Sequence, residues 1–162
     1  MLILGVDPGT ARIGWGVVSE NKGDCQVGDY GCLETSLKLS EANRLLKLFD
    51  GLTKLLTKIK PNAVAVESLF FFKNQTTVIK VAQARGIILL AAEKLNIPIF
   101  SYSPLQVKMA VTGYGRAEKS QVQQMVKSIL KLTSIPQPDD TADALALALT
   151  HAFSNKFKNK IE

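Results

Sequence analysis

The run Leu2-Ile3-Leu4-Gly5-Val6-Asp7-Pro8-Gly9 is apolar up to an aspartate and then breaks in Pro-Gly. That pattern predicts a buried strand stopping in a turn, with Asp7 left at the strand's carboxyl end, where open α/β sheets place their ligands. A second run, Ala63-Val64-Ala65-Val66-Glu67, repeats the arrangement. Two predicted strands therefore end in acids.

Between these runs, Ile13-Gly14-Trp15-Gly16-Val17-Val18 reads as the hairpin partner of the first strand, and residues Cys25 to Glu34 as a third antiparallel strand. Asn21-Lys22-Gly23-Asp24 carries hairpin-turn chemistry. Glycines inside these strands mark either bulges or close backbone approach, and the sequence leaves both open. From about Ser40 to Lys60, Leu45, Leu48, Phe49, Leu52, Leu55, Leu56 and Ile59 form the stripe of a helix that Pro61 ends.

A further helix is expected from about Thr76 to Leu95, with so little polar face that it must be buried on more than one side. Either it is central within one subunit, or a second subunit seals its outer face. Residues 97–101 predict an edge strand containing Pro98, and Ser103-Pro104 caps a short helix toward Thr112. An exposed linker, Thr112 to Arg116, leads to a helix with Val122, Met125, Val126, Ile129 and Leu130 on one face. A last helix should run from Asp140 or Thr141 to about Phe153. The expected architecture is an α/β fold, a mixed β-sheet of three antiparallel strands plus parallel strands, flanked by helices. One domain spans residues 1–154, followed by a basic, solvated tail over 155–162.

Twenty Lys and Arg against fourteen Asp and Glu give a net charge of +6 and a pI near 9.4, which favours polyanionic partners. No basic leader precedes Asp7 and no apolar run reaches ~18 residues, so a soluble, cytoplasmic protein with no membrane partner is expected. Cys25 and Cys32 are too few for a disulfide scaffold and are expected reduced and buried; His151 is the sole histidine, so a zinc cluster is not credible.

Asp140 and Asp143 stand three apart at a helix start and share one face. Helix capping and the helix dipole would also place acids there. Asp139 falls outside that spacing and reads as solvated. Asp-Pro-Gly around Asp7 is ordinary turn chemistry too, and merely ending a strand is the plain alternative for Glu67. Taken together, however, two strand-end acids and a helix-start pair are most economically a carboxylate cluster. Without histidine or cysteine it suits a hard, oxygen-preferring cation such as magnesium or manganese. Two such ions, roughly 3.5–4 Å apart, clamp the attacking water and leaving oxygen of an in-line phosphate displacement.

The motifs Leu4-Gly5-Val6-Asp7-Pro8-Gly9, Glu67-Ser68-Leu69-Phe70, Gln83-Ala84-Arg85-Gly86, Ala117-Glu118-Lys119-Ser120-Gln121-Val122 and Asp140-Thr141-Ala142-Asp143-Ala144-Leu145-Ala146 occur in this order. Together they resemble the RuvC-type Holliday junction resolvases, nucleases of the ribonuclease H-like superfamily. The resemblance implies a ribonuclease H-like sheet, catalytic and metal-binding roles for Asp7, Glu67, Asp140 and Asp143, and two Mg2+ per subunit, with Mn2+ as a substitute. It further implies a homodimer that resolves four-way junction DNA by paired symmetric nicks, and contact with a branch-migration complex of RuvA and RuvB. Phe70 matches an aromatic that works on bases at the junction centre, although three consecutive phenylalanines can also be core. Lys108 and Lys119 match lysines near the scissile phosphate, and Arg85 and Arg116 are further candidates for DNA contact. Three rivals stand beside this reading. One is an ATP-binding sugar-kinase or chaperone-like protein, which needs two such lobes; the others are a non-catalytic DNA-binding module and a related nuclease acting on RNA or other branched DNA.

Overall fold

Five strands and five helices make up the described part of the computed structural model, which covers residues 1–9, 11–69 and 75–158. In chain order they are β1 (Leu2–Asp7), β2 (Arg12–Asn21), β3 (Asp24–Glu34), α1 (Glu41–Ile59), β4 (Ala63–Glu67), α2 (Gln75–Lys94), β5 (Ile99–Tyr102), α3 (Pro104–Thr112), α4 (Lys119–Ile129) and α5 (Asp139–Lys158). Phe70, expected at the junction centre, lies outside the described residues with Phe71 and Phe72. No helix among the described residues is long and apolar enough to cross a membrane.

The strands form one sheet in the order β3-β2-β1-β4-β5. β1, β2 and β3 are an antiparallel meander, whereas β4 and β5 run parallel to β1. The β2–β3 turn is made by Lys22 and Gly23, both at positive φ (51° and 90°), the backbone that a two-residue hairpin with native twist requires. β1 and β4 are in register from Ile3 opposite Ala63 to Val6 opposite Val66. Parallel neighbours end at the same edge, so Asp7 and Glu67 leave the sheet side by side.

Side chains alternate across β1, as the period of two demands. Leu4 and Val6 enter a core with Val64, Val66, Leu48, Leu52 and Ile88 from α1 and α2. Ile3 and Val18 enter the opposite core with Val126, Leu145 and Leu149 from α4 and α5. Buried on both faces, the central strands read as continuous apolar runs.

α5 is the helix at the centre of the molecule, so of the two alternatives for residues 76–95 the central position is taken by another helix. It lies across β1 and β2, with Ala142, Ala144, Leu145, Ala146, Ala148 and Leu149 at most 1% exposed. Its seat explains two glycines. A Cβ at Gly5 would overlap the Ala144 carbonyl, and one at Gly14 would overlap the Asp140 backbone. Close approach, rather than a bulge, is the reason at both positions.

α2 instead packs on α1 through one side only, with Ala84, Ile88, Ala91 and Ala92 buried, while Ile79 and Leu90 are each 60% exposed. α1 begins at the Ser40 cap, whose hydroxyl accepts from the Asn43 N–H, and closes on Lys60 in the left-handed region. Ser103 caps α3 through a reciprocal capping box with Gln106, as its Ser-Pro start implied. The linker after α3 is ordered by Gly113 at φ 73° and by Thr112, whose hydroxyl meets both the carbonyl and the N–H of Tyr114. α5 continues by backbone to Lys158, beyond the expected end near Phe153. Cys25 and Cys32 are not joined in a disulfide and are only half-buried, and His151 is a core residue, its Nδ1 2.7 Å from the Tyr102 hydroxyl.

Candidate active site

Asp7 and Glu67 project from the paired ends of β1 and β4, and Asp143 reaches them from the first turns of α5. With Lys108 of α3 and Lys119 of α4 they line a cleft of ≈ 200 Å³ at the carboxyl edge of the parallel strands. This is the edge at which α/β sheets bind ligands. The helix starts at Asp139, so Asp140 and Asp143 lie inside its first turns rather than capping it.

Lys119 holds the mouth of the cleft. Its Nζ lies 2.7 Å from both Asp143 Oδ2 and Asp139 Oδ2. Asp139, expected to be merely solvated, is thus a lysine partner. Asp140 does not line the cleft; it faces Arg12, whose Nη1 is 3.4 Å from Asp140 Oδ2.

The electrostatics are those of crowded anions. Burial, then the charges of Asp143, Glu67 and Asp140, push the Asp7 carboxyl from 3.8 up to about 8, with only Lys119 opposing. Glu67 is raised by burial and by Asp143. Burial also raises Asp143, against the pull of Lys119, with Asp139 and Asp140 adding to the rise. Burial works against the Lys119 ammonium, but its hydrogen bonds to Asp139 and Asp143 outweigh that and leave its pKa raised. Hydrogen bonding to Lys119 keeps Asp139 below its ordinary value.

Such a donor set fits a hard divalent cation. All the donors are carboxylate oxygens, and their mutual repulsion is what a cation would relieve. Among the described residues, however, no three Asp, Glu, His or Cys side chains are already gathered into a coordination shell.

The structure therefore brings together Asp7, Glu67, Asp143, Lys108 and Lys119, and leaves Asp140 at their flank. Arg116 is exposed in the linker before α4. Arg85 is engaged elsewhere: its Nε donates to the Glu67 carbonyl at 3.2 Å and its Nη2 to Ser101 Oγ at 2.8 Å. Sequence reasoning missed Arg12. The signal available was its place at the start of the strand that returns from the Asp7-Pro8-Gly9 turn.

Solved structures share this fold. The chain superimposes on Thermus thermophilus RuvC with a TM-score of 0.90 at 38% identity, covering 98% of this chain and 97% of that one. It matches T. thermophilus RuvC in complex with Holliday junction substrate with a TM-score of 0.92 at 36% identity, covering 98% and 96%. The mixed five-stranded sheet flanked by helices is accordingly of the ribonuclease H-like class. Residues 3–151 match the family model for crossover junction endodeoxyribonuclease RuvC. A crossover junction endodeoxyribonuclease RuvC from Fusobacterium nucleatum is 53% identical over 151 residues, 93% of this chain and 80% of that protein. The chain belongs to the RuvC family of crossover junction endodeoxyribonucleases.

Proposed function

We propose that this chain resolves four-way DNA junctions by paired symmetric nicks, hydrolysing one phosphodiester per subunit of a homodimer in homologous recombination and DNA repair. The observation that carries the reading is the convergence of Asp7, Glu67 and Asp143 with Lys108 and Lys119 in one cleft. The junction-bound Thermus relative supports the substrate.

Asp7, Glu67, Asp140 and Asp143 are the residues that would hold two Mg2+, or Mn2+ in their place. Bound there, the ions supply an activated water and stabilise the leaving oxygen. The chain's own contribution is positional and electrostatic. β1 and β4 fix two carboxylates at one sheet edge, and α5 delivers the other two from a rigid seat. Lys119, already paired with Asp143, is placed to neutralise charge on the phosphate, with Lys108 beside it on α3. Phe70 is assigned to unpaired bases at the junction centre, where stacking is worth ~1–3 kcal/mol per base. Arg116, exposed beside α4, is assigned to the phosphate backbone.

The exposed Ile79 and Leu90 on α2 support self-association, since an apolar face of that kind is covered in a stable assembly. Family membership supports a working partnership with the branch-migration complex of RuvA and RuvB.

The test is nicking of a synthetic four-way junction with Mg2+. The expected result is paired nicks by the wild type and a loss of at least about 10²-fold in Asp7→Asn, as for removal of a group acting in the transition state. Undiminished cleavage by Asp7→Asn would remove that residue from the site. Tight junction binding without cleavage by the wild type would leave a binding module instead.

A further inference from the structure

We propose that Arg85 is a positioning residue for Glu67, tying helix α2 to the end of β4 so that the Glu67 carboxylate is held at the cleft. The inference rests on Glu67 being one of the catalytic acids. Glu67 is the last residue of its strand, and the β1–β4 register stops one residue earlier, at Val66. On the β5 side the ladder continues, with Glu67 opposite Tyr102 and the Ser68 N–H donating to the Tyr102 carbonyl at 2.8 Å. One flank of Glu67 is therefore paired by the sheet and the other is not.

Arg85 completes the attachment. Its Nε donates to the Glu67 carbonyl and its Nη2 to the hydroxyl of Ser101, the β5 residue opposite Val66. A guanidinium does this in one rigid plane; an ammonium has no fixed fork with which to span both acceptors. The helix supplying it is anchored, since Ala84 and Ile88 beside Arg85 are fully buried. The bond is to the carbonyl, not the carboxylate, and Arg85 is absent from the charges that shift Glu67. Its action is thus geometric: it fixes the backbone that aims the acid without neutralising it. Groups that orient a metal-binding side chain typically govern 10–100-fold in metal affinity or activity. The arrangement also makes α2, whose outer face carries Ile79 and Leu90, a direct mechanical neighbour of the cleft.

The experiment compares wild type, Arg85→Met, Arg85→Lys, Ser101→Ala and Glu67→Gln as full-length proteins. Arg85→Met is expected to lower the cleavage rate at saturating junction about 10–100-fold and to raise half-saturating Mg2+ by about tenfold, with the junction Kd unchanged. Arg85→Lys and Ser101→Ala, each leaving one arm of the tie, should fall between it and wild type. A second readout needs no turnover. The rise in Tm caused by Mg2+ alone should require a higher Mg2+ concentration in Arg85→Met than in wild type.

A weakened, more salt-sensitive junction Kd with an unchanged saturated rate would overturn the proposal and make Arg85 a DNA contact. Unchanged rate and unchanged Mg2+ dependence in Arg85→Met would overturn it outright. Full activity in Glu67→Gln would instead remove the assignment on which it rests, and that variant reads it separately.

Discussion

Asp7 shows how much a single position can decide. Its carboxyl is held near 8 by burial and by three neighbouring acids, against an ordinary 3.8. A carboxyl raised by folding stabilises the fold fully below its unfolded pKa, and that stability is lost as pH rises through the folded value. Without metal, the protein is therefore expected to lose stability between about pH 4 and about pH 8. Asp7→Asn should remove most of that slope. Above about pH 8 the variant should be more stable by several kcal/mol, at ~1.4 kcal/mol per unit of the rise, and so melt at least about 10 °C higher, with no difference below about pH 4. Thermal melts with a chelator present, run across this range, check the sign. Gly14 is the complementary case, a residue that acts by having no side chain. Gly14→Ala would drive a methyl into the Asp140 backbone, and is expected to cost about 3 kcal/mol in a urea titration while displacing the start of α5. Both residues stood out in the sequence, but for different reasons. The acid was legible because a charge ending an apolar run has few structural excuses. The glycine's purpose was not, because a bulge and a close approach leave the same mark until the packed helix is known.

Among the elements, α2 and α5 differ in where their apolar surfaces are spent. Residues 78–92 are so apolar that a central position was reasonable, yet α2 packs by one side on α1 and exposes Ile79 and Leu90. α5, with its Ala-Leu repeat, takes the centre because small residues let it lie directly on β1 and β2. Periodicity reports how much of a helix is covered and not which molecule covers it. The same limit applied at the acids: the Asp140 and Asp143 spacing was visible, but their division between Arg12 and Lys119 depends on β2 and α4, distant in sequence. The exposed face of α2 gives a direct test. Leu90→Glu is expected to weaken self-association about 30-fold or more, ~2 kcal/mol, in sedimentation. Paired nicks should give way to single ones at concentrations where the variant is monomeric. A variant that stays dimeric would place the subunit contact elsewhere.

For the whole molecule, the charge distribution matters more than the net +6. Several of its acids are withdrawn into one cleft, which leaves the remaining surface more basic than the sum implies. Junction affinity is expected to fall on the order of 10³ when salt rises from about 50 to about 200 mM. Arg116→Ala should lower the slope of log Kd against log salt by about 1 per subunit while leaving the saturated cleavage rate alone. Filter binding across a salt series measures the affinity and its slope, and nicking at saturating junction measures the rate. The fold itself was legible to a large extent: strand and helix order, the hairpin turn at Lys22-Gly23 and the two strand-end acids all followed from local chemistry. What was not legible was the pairing of strand ends with particular helices, which only tertiary packing decides.

The seat of α5 bears on when the molecule becomes active. Asp140 and Asp143, two of the four proposed catalytic acids, belong to the final helix, and all five strands and four helices precede them in the chain. During synthesis the ribosome has released the sheet and its first two acids before either of these emerges. A partly folded chain, with α5 not yet laid across β1 and β2, carries Asp7 and Glu67 without Asp140 and Asp143 beside them. The order of the elements thus makes the docking of α5 the step that completes the proposed set of four acids.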